Sequence, residues 1–318
     1  MGKRVLVTAL SFRRSMEGLT LLRDNGFEVV LSPYERPLQE TEMLAQIEGI
    51  SAIVAGNDAI TEKVIAAGVP NLKIIARCGV GYNTINVAAA QRYEVAVTTT
   101  PGANTRSVAE LTLGLMISLA RDIPQLNNRM HSGAWAKSVG TELGGKTLGI
   151  VGTGNIGSEV IKRAVAFDMK IIAFDMRKRR DLVDKYGDIY RPLGEVFSEA
   201  DFLSLHVPAI PETINMVNQN TLKLMKRSAY LINTARGELV VESDLVKALQ
   251  TGVISGAALD TFAAEPLQQD SSLFTLGNVI LTPHIGASTG ESSNRVGIMA
   301  AEEVIRVLSG SKPCFSIH

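Results

Sequence analysis

Two of the four histidines stand where a strand-like run gives way to a polar turn. Histidine is the side chain that exchanges protons near neutral pH. His206 closes the run that begins at Phe202, and His284 follows Val279 to Leu281 in Thr282-Pro283-His284-Ile285-Gly286-Ala287. His131 lies in a polar helical stretch with Asn127, Asn128 and Arg129, and His318 is the last residue, so both read as surface groups. Arg236 follows the run Ala229 to Thr234, while Asp260 and Glu265 follow Gly256 to Leu259. Interconversion of an α-hydroxy acid and its oxo acid needs this set. An Arg fork grips a carboxylate in two places. A His gives or takes the hydroxyl proton. A carboxylate orients that His and stabilises its charged form. In open parallel sheets ligands bind at the carboxyl ends of strands, where all of these residues fall.

Hydride chemistry also needs a carrier. Gly152-Thr153-Gly154-Asn155-Ile156-Gly157 follows the strand-like Leu148 to Val151 directly and opens a helical stretch to Phe167. The next run, Lys170 to Phe174, ends in Asp175. Strand, glycine turn, helix, strand and terminal acid form a dinucleotide fingerprint. Gly152 permits the tight turn, Gly154 lets backbone approach the pyrophosphate, and Gly157 lets helix and strand pack closely. Helix N–H groups then face the phosphates. Asp175 accepts from ribose hydroxyls and repels a 2′-phosphate, which favours NAD over NADP. The basic run Arg177-Lys178-Arg179-Arg180 opposes that preference, and reads as a solvated helix face.

The elements that position these residues alternate along the whole chain. Val5 to Val7, Phe27 to Leu31, Ala52 to Ala55 and Leu72 to Ala76 are short apolar runs, each followed by a helical pattern. Such runs read as parallel strands covered on both faces. Gly26, Gly49 and Gly68 stand where helices should end. A second series runs from Thr147 to Leu281. Between the two lies Asn104 to Arg121, apolar on nearly all sides after Glu110, which predicts a helix buried between domains or subunits. The amphipathic stretch Glu291 to Leu308 is placed to return to the first series. The chain thus reads as two α/β units.

Composition agrees with this reading. Lys and Arg number 32 against 32 Asp and Glu, so there is no basic excess to hold nucleic acid. No apolar run reaches the roughly 18 residues that a membrane helix needs. The N-terminus lacks a cleavage pattern, and two cysteines, Cys78 and Cys314, imply no disulfide framework and fit a reducing cytoplasm. No metal site is expected.

The chain resembles the D-isomer-specific 2-hydroxyacid dehydrogenases, and within them the phosphoglycerate dehydrogenases. Six stretches carry the resemblance: Gly79-Val80-Gly81, Asn104 to Leu111, Gly140 to Ile150, Asn233 to Gly237, Asp260 to Pro266 and Pro283 to Thr289. It implies an α/β fold of two open parallel-sheet domains. A Rossmann NAD-binding domain (102–289) is inserted into a flavodoxin-like substrate domain (1–101 and 290–318), with substrate in the cleft. Arg236 then binds the substrate carboxylate, His284 transfers the proton, and Glu265 holds the other nitrogen of His284. Asp260 lies beside the nicotinamide carboxamide. Asn155 and Ile156 contact the pyrophosphate. His206, Val207, Pro208, Thr213, Thr234, Ala235, Gly286 and Ala287, with Arg236 and His284 themselves, complete the cofactor set. Gly79, Val80 and Gly81 close on substrate through backbone N–H groups, and Arg77 matches a cation that holds a substrate phosphate.

This chain also departs from the pattern. Asn83 and Asn86 stand where the family often has acids, and Gly56-Asn57 stands where a second phosphate-binding cation commonly follows the strand. The length leaves no room for the regulatory domain that many phosphoglycerate dehydrogenases carry, so a short form is expected. The expected activity is NAD-dependent oxidation or reduction of a small 2-hydroxy or 2-oxo acid, 3-phosphoglycerate or hydroxypyruvate/glycerate foremost, by a homodimer. The alternatives are a non-catalytic NAD-binding regulator resembling corepressors of this fold, and a phosphite dehydrogenase.

Overall fold

The computed structural model describes residues 2–317, so His318 lies outside the described residues. The chain divides into two compact units, Met1–Asn104 with Ala287–His318, and Thr105–Gly286.

The first unit is a five-stranded parallel sheet of β1 (Arg4–Val7), β2 (Glu28–Leu31), β3 (Ile50–Ala55), β4 (Ile74–Arg77) and β5 (Ala96–Thr98), in the order β2-β1-β3-β4-β5. Side chains alternate across a strand, and here both faces are buried. Val5 and Val7 face one way with Ala52, Val54, Ile74 and Ala76, under Leu19, Leu22, Val296, Ala300 and Val304. Leu6, Ile53, Ala55 and Ile75 face the other way, under Met43, Val64, Ile65, Ala89 and Ala90. That double burial is why the strands are continuously apolar rather than alternating. The helix Gly290–Leu308 packs on the helix Met16–Asp24 of this unit, as its amphipathic pattern predicts. Ser15 caps the shorter of the two by accepting from the Gly18 N–H at 3.0 Å.

The second unit is a six-stranded parallel sheet of β6 (Thr147–Val151), β7 (Lys170–Phe174), β8 (Phe202–Leu205), β9 (Tyr230–Asn233), β10 (Gly256–Leu259) and β11 (Val279–Leu281). Its order is β11-β10-β9-β8-β6-β7, so the winding direction reverses between β6 and β8. That reversal opens a crevice at their carboxyl ends, where ligands of doubly wound sheets bind. The helix Thr105–Ala120 turns Ala109, Leu113, Met116 and Ala120 into this unit's own core, with Glu110 and Gly114 exposed. Much of its apolar character thus serves the core of the unit itself.

Two local readings differ from the structure. Gly26 and Gly49 take the left-handed backbone of a helix or turn end, at φ +79° and +69°. Gly68 instead ends the helix Glu62–Gly68 within helical bounds, and a Cβ there would lie 3.0 Å from Leu72. It is glycine for space. The strand β5 also has too few residues to stand out from its neighbours in sequence.

Phe202 is 1% exposed and stacks on Tyr230 with ring centroids 5.1 Å apart, tying β8 to β9 beneath the crevice. Phe202→Ala is expected to lower stability by about 3–5 kcal/mol, measured by denaturant unfolding. A loss under about 1 kcal/mol would show that this layer is not part of the cooperative core.

Candidate active site

At the crevice, β6 runs into Gly152, whose φ of +96° few other residues tolerate. A Cβ there would also lie 2.5 Å from the His206 carbonyl oxygen. Gly157 packs so closely that a Cβ would lie 2.0 Å from the Gly152 oxygen, whereas Gly154 is exposed with nothing within 4 Å of its Cβ position. The motif thus has two crowded glycines and one open one. The open glycine precedes the helix Asn155–Val165, whose first N–H groups have no intrahelical partners. Open space before a helix start and an acid one strand away are what a dinucleotide pyrophosphate and ribose require.

The acid is Asp175, just past β7. It accepts from the Thr153 N–H at 2.6 Å, the Thr153 hydroxyl at 3.1 Å and the Arg177 N–H at 2.9 Å, which holds its carboxylate against the glycine turn. The basic run largely serves its own surroundings. Arg179 pairs with Asp181 at 2.5 Å and donates to Ser158, Arg180 lies 3.9 Å from Asp184, and Lys178 sits over the Tyr190 ring.

His206 ends β8 on the opposite lip. Desolvation pushes its imidazole down to about 3, so it stays neutral near pH 7, and Nε2 lies 2.9 Å from the Ser204 hydroxyl. A ring that stays neutral is no proton carrier. Thr213 spends its hydroxyl on its own turn, donating to Pro208 O at 2.5 Å and accepting from Ile210 N at 3.0 Å. Thr234 is buried, with its hydroxyl 3.0 Å from that of Thr112. These two threonines shape the lip next to Val207, Pro208 and Ala235 rather than offering free hydroxyls.

The second corner sits past β9, β10 and β11. Buried Asn233 ends β9 and clamps the next turn, donating to Arg236 O at 2.8 Å and accepting from Ala235 N at 3.1 Å. Gly237 brings that turn onto the following loop, where a Cβ would lie 1.9 Å from the Phe262 carbonyl carbon. Glu265 closes the loop by accepting from the Phe262 N–H at 3.1 Å. Its other oxygen lies 2.8 Å from His284 Nδ1. Burial acts to raise the Glu265 carboxyl, but the hydrogen bonds from His284 and Phe262 and the charges of His284 and Arg236 outweigh it. Glu265 titrates below the ordinary carboxylate range. An ionised Glu265 only accepts, so Nδ1 carries the proton and Nε2 is left for substrate.

Asp260 is 1% exposed and takes three donors: the Thr282 hydroxyl at 2.6 Å and the N–H groups of Ile285 and Gly286, both at 2.8 Å. His284 lies inside this grip with φ +50°, a left-handed backbone seldom occupied by a side-chain-bearing residue. Such strain persists only where surroundings over-determine it, and Asp260 does so here. The contribution of Asp260 is thus visible on the turn that carries His284, a task its strand-end position alone did not suggest. Asn233, Thr282 and the Phe262 N–H were missed from sequence as parts of the site. Asn233 and Thr282 lie within the motif stretches, but their roles depend on pairing between loops.

In the first unit, β4 ends at Arg77. The guanidinium donates to Gly81 O at 2.8 Å, to Cys78 O and to Asn57 Oδ1. Of the three loop amides, Gly79 N–H donates to the Thr100 hydroxyl at 2.9 Å. His131 is exposed, with Nδ1 3.0 Å from Asn127 O. Among the described residues no cluster of His, Cys, Asp and Glu could hold a metal ion, and no helix is long and apolar enough to cross a membrane.

Residues 113–286 match the family model of the D-isomer specific 2-hydroxyacid dehydrogenase NAD binding domain. The D-3-phosphoglycerate dehydrogenase of Synechocystis is 44% identical over 276 residues, which are 86% of this chain and 50% of that protein. The hydroxypyruvate reductase of Thermotoga maritima is 42% identical over 277 residues, 85% of this chain and 89% of that one. A crystal structure of a Thermus thermophilus protein superimposes with a TM-score of 0.90 at 35% identity, over 99% of this chain and all of that chain. The chain therefore spans about half the length of the phosphoglycerate dehydrogenase relatives it matches.

The depressed Glu265 sets a pH expectation. A group whose folded value is lowered contributes fully above the ordinary carboxylate value, about 4.3, and loses that contribution as pH falls through the lower folded value. Glu265→Ala should therefore lower reductive turnover by about 100-fold at about pH 8, with the deficit narrowing toward about pH 6 as bulk protons replace the carboxylate in keeping His284 charged, in steady-state assays. A deficit that widens toward the acid end of that window contradicts an ionised Glu265.

Proposed function

The chain belongs to the D-isomer specific 2-hydroxyacid dehydrogenase family, and from that membership we propose that it is an NAD-dependent oxidoreductase that interconverts a small 2-oxo acid and its D-2-hydroxy acid. The observation that carries the reading is the Glu265–His284 pair at 2.8 Å, set on the carboxyl ends of a dinucleotide sheet one strand from Arg236. NAD, when bound, supplies hydride to C2 of the oxo acid or takes it from the hydroxy acid. Arg236 holds the substrate carboxylate in its fork, which fixes the acid by two hydrogen bonds and leaves little rotational freedom. In reduction, charged His284 gives the Nε2 proton to the carbonyl oxygen while Glu265 keeps hold of Nδ1–H. In oxidation, neutral Nε2 takes the hydroxyl proton. Asp175, the glycine turn and the start of the helix Asn155–Val165 would hold the cofactor's ribose and pyrophosphate.

For substrate we favour a short unphosphorylated acid of the size of hydroxypyruvate or glyoxylate. The hydroxypyruvate reductase relative is matched over 89% of its own length, the phosphoglycerate dehydrogenase over 50%. Asn57 also stands where a second phosphate-binding cation would be expected.

The partner is a second copy of the chain. Ile123, Met130, Trp135 and Val139 all lie exposed between the helix Thr105–Ala120 and β6, Trp135 at 81%. Apolar groups gathered this way mark interaction surfaces.

His284→Ala is expected to lower NADH-dependent reduction of hydroxypyruvate or glyoxylate at least ~100-fold while NADH affinity, read by fluorescence titration, stays within about twofold. Near wild-type turnover in that variant would end the dehydrogenase assignment. Light scattering after size exclusion should give a dimer for the wild type and dissociation for Trp135→Ala/Val139→Ser. A wild-type monomer at micromolar concentration contradicts the partner reading.

A further inference from the structure

We propose that Arg77 is a positioning residue that braces the substrate loop 78–82 from inside, and that it does not itself hold the distal group of the substrate. The proposal rests on the reading that backbone N–H groups of this loop meet the substrate acid.

Arg77 is 9% exposed at the end of β4. A guanidinium offers a rigid fork of donors, and three different nitrogens of this one are turned onto the protein's own oxygens: Nε to Gly81 O, Nη1 to Cys78 O and Nη2 to Asn57 Oδ1. A trans peptide sets its C=O and N–H in opposite directions. Drawing the Gly81 carbonyl inward therefore sends the Tyr82 N–H outward. Thr100 does the same one step earlier. Its N–H donates to Gly79 O at 3.0 Å, which turns the Val80 N–H outward, and its hydroxyl takes the Gly79 N–H. Gly79 permits this path with φ +134°, and a Cβ there would lie 3.2 Å from Arg77 Nη1. Val80 and Tyr82 are exposed at 39% and 43%.

Asn57 is itself anchored. The next residue, Asp58, is fully buried and accepts from Gly56 N at 2.8 Å, Leu38 N at 2.9 Å and the Thr8 hydroxyl at 2.5 Å. The ends of β1, β3 and β4 are thereby connected to the loop through Asp58, Asn57 and Arg77. Three of the five N–H donors of the guanidinium are committed to this brace. A neutral acceptor at position 57 completes it, where a cation would repel it.

The test compares full-length Arg77→Lys and Asn57→Ala with the wild type, using NADH with hydroxypyruvate and with its 3-phosphate ester. Lysine keeps the charge but not the fork. The expected result is a KM rise of at least about 5-fold in Arg77→Lys and a smaller rise in Asn57→Ala. The rise should be equal for the two acids within about twofold, with NADH KM unchanged. Hydrogen exchange at the Cys78 and Gly79 amides, which are bonded to Ala55 O and the Thr100 hydroxyl, should increase in both variants, whichever acid the enzyme reduces. A KM rise confined to the phosphate ester makes Arg77 a phosphate ligand and overturns the proposal. Unchanged loop exchange overturns it as well. Failure of the wild type to reduce any 2-oxo acid would strike the dehydrogenase reading instead, and the exchange measurement still decides the brace.

Discussion

Three hydrogen bonds onto one buried carboxyl group hold the rest of the site in register. Asp260 binds Thr282, Ile285 and Gly286 together, and His284 is held among them at a φ of +50°. Without that grip the turn would relax toward ordinary backbone, and the imidazole would leave Glu265. The Asp260 N–H in turn donates to Asn233 O, and the Asn233 side chain clamps the Arg236 turn. One buried residue on each of two adjacent strands thus fixes the turns that carry the base and the anion-binding fork, while the orienting acid Glu265 stands on an exposed loop that it closes by accepting from the Phe262 N–H.

The same economy governs anion handling. With 32 positive and 32 negative side chains the protein has no global field to draw in an acid or a pyrophosphate. Local devices replace it: an open glycine before a helix start, Arg236 beside an ionised Glu265, and amides turned outward by an internal arginine. Histidine chemistry is partitioned by environment. His206 is held neutral by desolvation, while His284 is half-exposed and faces a carboxylate, so the two strand-end histidines take different tasks.

Much of this was legible in the residues. The glycine motif is legible because two of its glycines are forced by crowding and one by open approach, which no other residue type satisfies. Arg236, Glu265 and His284 are legible because their chemistry needs those side chains at strand ends. Arg77 was legible as a cation but not as a brace, because its three acceptors are two carbonyls and a side chain on another strand. Asp260 was legible as a site residue, but its grip on the His284 turn spans more than twenty residues of sequence. Thr213 and Thr234 have hydroxyls that local structure consumes, which residue type alone cannot show. The short strand β5 was missed because its pairing is set by its neighbour β4 and, at its far edge, by Ser316 and Ile317 near the C-terminus.

The central claim is that Glu265, ionised below its ordinary range, fixes the proton of His284 on Nδ1 and so frees Nε2 for substrate. Nitrogen NMR of the imidazole side chains at alkaline pH, with His284 assigned through His284→Ala, reads this directly. The account predicts that His284 is the Nδ1–H tautomer, converting to the other in Glu265→Ala. An Nε2–H tautomer in the wild-type protein would contradict it, because the nitrogen assigned to take the substrate proton would already be occupied.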